Sequence, residues 1–263
     1  MAFRSSALGS SAAGGTITAT PAGPAVDDYL SGIVATDGGS LAPTPPTGWV
    51  ERVNNDQVAP DGAKFRFADK IAVGSDSFTW DAKDASNSYV INSANSGRNT
   101  STPRTANTGE QNTTANASPV AVSHTGVTAA NGDDVLVYMQ LDQTVGVATW
   151  NFSQITNYTE RQDDTALDWV TVAMDSRDNV SAGATGALAS TATLTAGTGN
   201  AGWGVIVVAI AASVGGATAV GRPIRPRPRL RKSRFKRSTQ GDITLTVVVN
   251  IPRHLYTTMR VGT

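Results

Sequence analysis

Cysteine is absent from the 263 residues, which excludes a disulfide framework, a thiolate zinc site and a cysteine nucleophile. Only two histidines occur, His124 and His254, and neither has a second histidine at metal-ligand spacing. No G-x-S-x-G and no H-E-x-x-H is present. Aromatic residues make up 6% of the chain and charged residues 16%. Long hydrophobic runs are missing as well. The most apolar stretch, 203–214, covers about a dozen residues where a membrane helix needs about 20. Its Val205-Ile206-Val207-Val208, β-branched and set between glycines, reads as a buried strand. Arg4 is followed by no apolar h-region. These absences lead us to expect a protein that is not an enzyme, uses no cofactor or metal, does not enter a membrane and is made in the cytoplasm.

What is present is strand. Lys64-Phe65-Arg66-Phe67 puts both phenylalanines on one face and both cations on the other, the period-2 pattern of a half-buried strand. Ser77-Phe78-Thr79-Trp80-Asp81 alternates in the same way. Val135–Leu141 and Asp168–Met174 read as central strands covered on both faces. Turn-formers lie between, such as Asp37-Gly38-Gly39, Asp61-Gly62 and Asn131-Gly132. No segment carries a capped 3.6-residue apolar stripe. The fold class is all-β, a jelly-roll-like β-sandwich.

A faint internal repeat supports that reading. Asp27-Asp28-Tyr29-Leu30, Trp49-Val50-Glu51-Arg52 and Phe65–Asp69 are followed in the same order by Asp133-Asp134-Val135-Leu136, Tyr158-Thr159-Glu160-Arg161 and Trp169–Ala173. The matched positions are Asp27 with Asp133, Glu51 with Glu160, and Ala68 with Ala173. The body, 1–214, divides into similar halves at about 1–94 and 119–214, each too small to cover its own apolar face. Asn95–Ser118, rich in Asn, Thr, Ser and Gly, reads as a long surface loop, with a linker between two small sandwiches as the alternative.

Several of these segments carry a resemblance. Phe3-Arg4-Ser5-Ser6, Thr16–Gly23, Asp27-Asp28-Tyr29-Leu30 and Pro45-Pro46-Thr47-Gly48-Trp49-Val50-Glu51-Arg52 are similar to a group of tailed-bacteriophage virion proteins. The similarity covers roughly 3–212. It implies a β-sandwich protein or module of a phage head or tail, located in the virion. The segment after Val214 departs from that pattern.

The zero net charge hides a split. Residues 1–220 hold ten basic and twenty acidic groups, whereas 221–263 hold eleven basic groups and one acid, Asp242. Gly215–Thr218 reads as a hinge, so 215–263 forms an extended basic C-terminal arm ending in a β-strand. Its cations are Arg222, Arg225, Arg227, Arg229, Arg231, Lys232, Arg234, Lys236 and Arg237. Their alternation with proline disfavours helix and biases the chain to an extended conformation. Ile243, Leu245, Val247 and Val249 then alternate with Thr244, Thr246 and Val248 up to Pro252. A strand on a tether suits exchange with a neighbouring subunit. The expected partners are phage capsid or tail proteins and further copies of the chain, as a homo-oligomer. Contact of the arm with nucleic acid is a second reading, weakened by a single interleaved aromatic, Phe235. A solvated tail whose last strand closes its own sheet is the third.

Other candidates have plainer readings. Asp27-Asp28, Asp133-Asp134 and Asp163-Asp164 invite calcium, but no EF-type spacing is present and two pairs precede strands, where Asp serves turns. Glu51 and Glu160 read as solvent-facing partners of Arg52, Arg161 or nearby lysines, not as a glycosidase pair. Trp80, Trp169 and Trp203 fall within apolar strands and read as core. Trp49 and Trp150 sit beside turns or polar residues and are the candidates for surface rings stacking on glycan. The function expected is a capsid decoration or cement protein anchored by its arm. The alternatives are a tail, collar or fibre-base component, or a carbohydrate-binding module for host-surface glycans.

Overall fold

The computed structural model describes residues 2–56, 63–144, 146–164 and 168–213. Every element among them is a β-strand, as the sequence led us to expect. The first seven strands are β1 (Ala2–Ser11), β2 (Thr16–Thr18), β3 (Tyr29–Asp37), β4 (Val50–Asn54), β5 (Lys64–Ile71), β6 (Thr79–Asp81) and β7 (Asn87–Ser96). The next ten are β8 (Arg104–Ala117), β9 (Val120–His124), β10 (Thr128–Ala129), β11 (Asp134–Gln143), β12 (Ala148–Phe152), β13 (Thr159–Asp163), β14 (Val170–Arg177), β15 (Gly183–Ala184), β16 (Leu188–Gly197) and β17 (Asn200–Ile210).

The two halves repeat one antiparallel topology. One five-stranded sheet has the order β1-β7-β3-β5-β4 and the other β8-β17-β11-β14-β13, the same path drawn with corresponding strands. The bulges repeat too. Arg4 is the extra residue between Phe3 and Ser5 on β1, as Thr105 is between Arg104 and Ala106 on β8. Arg52 and Arg161 are the extra residues on β4 and β13. An unpaired residue at the same place in both copies is a specified feature.

Four layers result. The two five-stranded sheets pack face to face around Tyr29, Ile33, Phe65, Phe67 and Ile91 from the first repeat and Leu136, Tyr138, Val172, Ile206 and Val208 from the second. The outer face of the first sheet is covered by the two-stranded β2-β6 around Trp49, Phe78 and Trp80. The outer face of the second is covered by β12-β16-β9 around Trp150, Phe152 and Val122. Both large sheets are therefore covered on both faces at their centres, which is why β3 and β11 are buried at every position. Fully burying each such large side chain contributes about 1.5–3 kcal/mol.

Three expectations are corrected here. Asn95–Ser118 is not a long loop, because its larger part is the fourteen-residue edge strand β8. The strand at 64–71 is not half-buried. Arg66, on the face of the strand opposite Phe65 and Phe67, is only 9% exposed; its Nε donates to Asp56 (2.9 Å) and its Nη1 to Glu51 (3.1 Å). Trp169 is only half-buried, at the entrance to β14.

Candidate functional site

The arm residues Arg222, Arg225, Arg227, Arg229, Arg231, Lys232, Arg234, Lys236, Arg237, Ile243, Leu245, Val247 and Val249 lie outside the described residues, as does His254. The two proposed glycan-stacking rings are placed, and both are interior. Trp150 is 0% and Trp49 7% exposed. Trp49 packs edge-on to Phe78 at 5.9 Å and to Trp80 at 6.4 Å, and its Nε1 donates to the Ser77 carbonyl at 2.9 Å. The turn at 46–48 does not leave the ring outside but folds it beneath the small sheet, where its area is best spent. A surface platform built on this pair is thereby excluded.

The acidic pairs act locally. Asp28 Oδ2 accepts from Ala25 N at 2.8 Å, and Asp133 Oδ2 accepts from Ala130 N at 2.8 Å, the same turn in each repeat. Asp27 holds φ 68° where the second repeat has Gly132 at φ 87°, a left-handed position that Asp tolerates and Gly adopts freely. Among the described residues no cluster of three or more His, Asp and Glu is set to hold a metal. Glu51 pairs with Arg66, and Arg52 with Asp69 instead (Nε to Oδ1, 2.8 Å). Glu51 and Glu160 sit on equivalent strands of opposite repeats and form no pair across a shared site.

The contact between the repeats was invisible to sequence reading. It is reciprocal, the mark of an approximate twofold relation. On one diagonal β8 meets β4 and β5: Arg104 pairs with Asp69, which also accepts from Arg52 and from the Tyr29 hydroxyl (2.8 Å). On the other diagonal β1 meets β13: Phe3, in the position equivalent to Arg104, lies 4.2 Å under the Arg161 guanidinium. Arg161 Nε donates to Ser176 Oγ at 2.7 Å, and Ser176 holds the place of Asp69 in its repeat. Nearer the centre, the Tyr138 hydroxyl bonds Ser31 Oγ (2.8 Å) and Ser93 Oγ (3.0 Å). Burial raises the Tyr138 pKa to about 12, so the hydroxyl is neutral. Between the repeats runs 97–103, where the buried Arg98 pairs with Asp134, and desolvation pulls its pKa down to about 10.

One acidic group stands apart on β13 and β14. Burial, then the Glu160 charge, pushes Asp163 up to about 7, and burial pushes Asp175 up to about 6 although Ile155 N donates to it at 2.7 Å. Histidine 124 accepts from Gly126 N on Nδ1 (2.7 Å), and burial lowers its pKa. Both arrangements are explained by packing.

The edges of the large sheets are the surface offered for strand pairing. Four strands end the two large sheets: β1, β4, β8 and β13. β4 and β13 are short, bulged and charged through Glu51-Arg52 and Glu160-Arg161, the ordinary means of blunting an edge. β8 carries Glu110, its carbonyl taken by Asn55 Nδ2 (3.3 Å), and a second irregularity across 113–115. β1 has none of this past Arg4. Ser5–Ser11 is uncharged, free of proline and in unbroken register with Ala94–Ser88 of β7. Among the described residues its backbone makes no hydrogen bond to any segment but β7.

No family model matches the chain, and no curated protein matches it. A solved structure of infectious bursal disease virus, Gx strain, aligns with 78% of this chain and 76% of that chain at 10% identity, with a TM-score of 0.12, too low for the likeness to carry an argument.

Proposed function

We propose that the protein is a non-enzymatic structural component of a tailed-phage virion, decorating or cementing the outside of the head and anchored by its C-terminal arm. The observation that carries this reading is the charge split: ten basic against twenty acidic groups through residue 220, then eleven against one. Oppositely charged parts of one chain attract copies of that chain, and a tethered contact repeated by closed symmetry gains avidity without any single strong bond. The four-layer body is compatible with the same reading, since its large sheets are covered by smaller ones and leave strand edges for contact. The phage resemblance of 3–212 points the same way.

The test is the mass of the full chain beside a 1–218 truncation, read by light scattering across a salt series, with circular dichroism confirming a β fold in both. The full chain should form defined oligomers that dissociate as salt rises, because exposed charges are screened within about 8 Å at physiological ionic strength. The truncation should stay monomeric. Identical monomers for both would overturn the reading. Charge reversal at Arg225, Arg227, Arg229 and Arg231 should abolish the salt-sensitive oligomer.

A further inference from the structure

We infer that the β1 edge, Ser5–Ser11, is the acceptor for the terminal segment 243–251 of a second copy, which adds to the five-stranded sheet as a sixth strand. The inference rests on the arm-anchored assembly proposed above and names the surface that the arm engages.

Three observations lead to this edge. First, the four edges of the large sheets differ in protection: β4, β8 and β13 carry charge and irregular register where strands would pair, while Ser5–Ser11 carries neither. A long, regular, neutral edge pairs with any strand offered to it. Second, the edge has unfinished apolar cover. Phe3 and Leu8 lie against the core between the repeats and are only partly buried. A strand carrying Ile243, Leu245, Val247, Val249 and Ile251 on one face would lay those aliphatics beside Leu8 and turn Thr244, Thr246 and Asn250 to the other side. Third, the chain leaves the described body beside the start of this strand. Ser213 N donates to the Gly97 carbonyl (3.2 Å), and Gly97 follows Ser96, the partner of Ala2.

That exit point selects a second copy over the chain's own sheet. The Arg- and Pro-rich sequence 222–237 holds nine like charges. At about 3.1 Å per residue for an extended proline-rich spacer, it spans roughly 50 Å. An extended spacer of that length would favour pairing of 243–251 with a neighbouring copy over pairing with the edge beside its own exit. The cations it carries then lie over an acidic body, which favours the same arrangement.

The absence of cysteine makes the test direct. Ser10 is exposed on β1; full-length Ser10→Cys is mixed with full-length variants that each carry one cysteine at positions 243–250, and the mixture is oxidised. The expected result is a disulfide-linked dimer containing one of each variant, at alternate positions of the segment and absent from either variant alone. Val247→Lys with Val249→Lys in the arm chain should reduce that dimer at least tenfold. Cross-linking only within a single chain carrying both cysteines would overturn the inference, because the strand would then close its own sheet. Intact oligomers with no cross-link at any position would place the acceptor elsewhere, overturning the edge while leaving arm-driven assembly standing. Loss of the oligomer itself in the unmodified chain would overturn both.

Discussion

Asn92 and Gly32 face each other across β7 and β3, and together they allow a prediction with a worked magnitude. Asn92 Oδ1 accepts from Trp80 Nε1 at 3.0 Å, and its Nδ2 donates to the carbonyls of Ala19 (2.9 Å) and Phe78 (3.1 Å). It ties the first large sheet to its small cover, and it is 0% exposed. Asn92→Ala removes three buried bonds; the Trp80 N–H and the Ala19 carbonyl lose this partner outright, while the Phe78 carbonyl keeps only a long bond from Ala19 N (3.4 Å). With about 1–3 kcal/mol for each unsatisfied buried group and partial relaxation, the loss should be about 3–5 kcal/mol. Gly32→Ala attacks the same bonds from the other side: an added Cβ would stand 2.0 Å from Asn92 Oδ1 and 3.0 Å from the Ile91 carbonyl. The amide must leave, so the cost should be similar. In the double variant the clash disappears with the amide, and what remains is the 3.0 Å approach to the Ile91 carbonyl, which a shift of a few tenths of an ångström relieves. The two losses should therefore fail to add, with a coupling of about 3 kcal/mol. At about 2–4 °C per kcal/mol for a body of this size, Asn92→Ala lowers Tm by roughly 10 °C and Gly32→Ala lowers it no further. Thermal and urea unfolding of the four proteins measures the cycle. Additivity within about 0.5 kcal/mol would refute the shared-bond argument. The second repeat offers an internal control, since Val137 and Val207 occupy the equivalent pair and need no such hub.

Two further outcomes follow from buried polar groups. Tyr138→Phe should destabilise by only about 1 kcal/mol, because Ser31 and Ser93 keep their own 2.8 Å bond; a loss as large as that of Asn92→Ala in the same urea titration would show that the hydroxyl holds the two repeats together. Asp163 and Asp175, raised to about 7 and about 6, bind protons in the folded state that the unfolded chain has already released. Stability should thus fall as pH rises from about 4 through 7, and Asp163→Asn should flatten the upper part of the curve of urea midpoint against pH. A midpoint that rises steadily through this range would sink the assignment.

The repeat shows how far sequence similarity carries and where it slips. Glu51 and Glu160 are structural equivalents, each next to the bulged arginine of its strand. Ala68 and Ala173 are not: Glu51 faces Ala68, whereas Glu160 faces Asp175. The matching slid by two residues, a shift that keeps every side chain on its original face and so leaves the apolar alternation intact. The equivalent of Asp133 is Asp28, as the matching turn bonds show. The sequence of β8 does not announce a strand because an edge strand has no continuous apolar face to display; its burial alternates only weakly along Asn- and Thr-rich sequence.

The local chemistry of the chain determined that it forms strands, where its main turns fall and that it holds two similar units. β-branched alternation, Asp and Gly at turns and the repeated aromatic-x-Glu-Arg signature act over a few residues each and need no partner. Tertiary structure alone decided which surfaces are interior. Trp49 is buried because the small β2-β6 sheet closes over it, and Trp150 because the small sheet that carries it, β12-β16-β9, packs onto the large one. Arg52 and Asp69 meet on neighbouring strands of one repeat, but Arg104 joins them only because the two repeats pack face to face. Whether a strand is central or edge depends on what lies beside it in space, and the open edge along Ser5–Ser11 is a property of sheet order that no window of sequence contains.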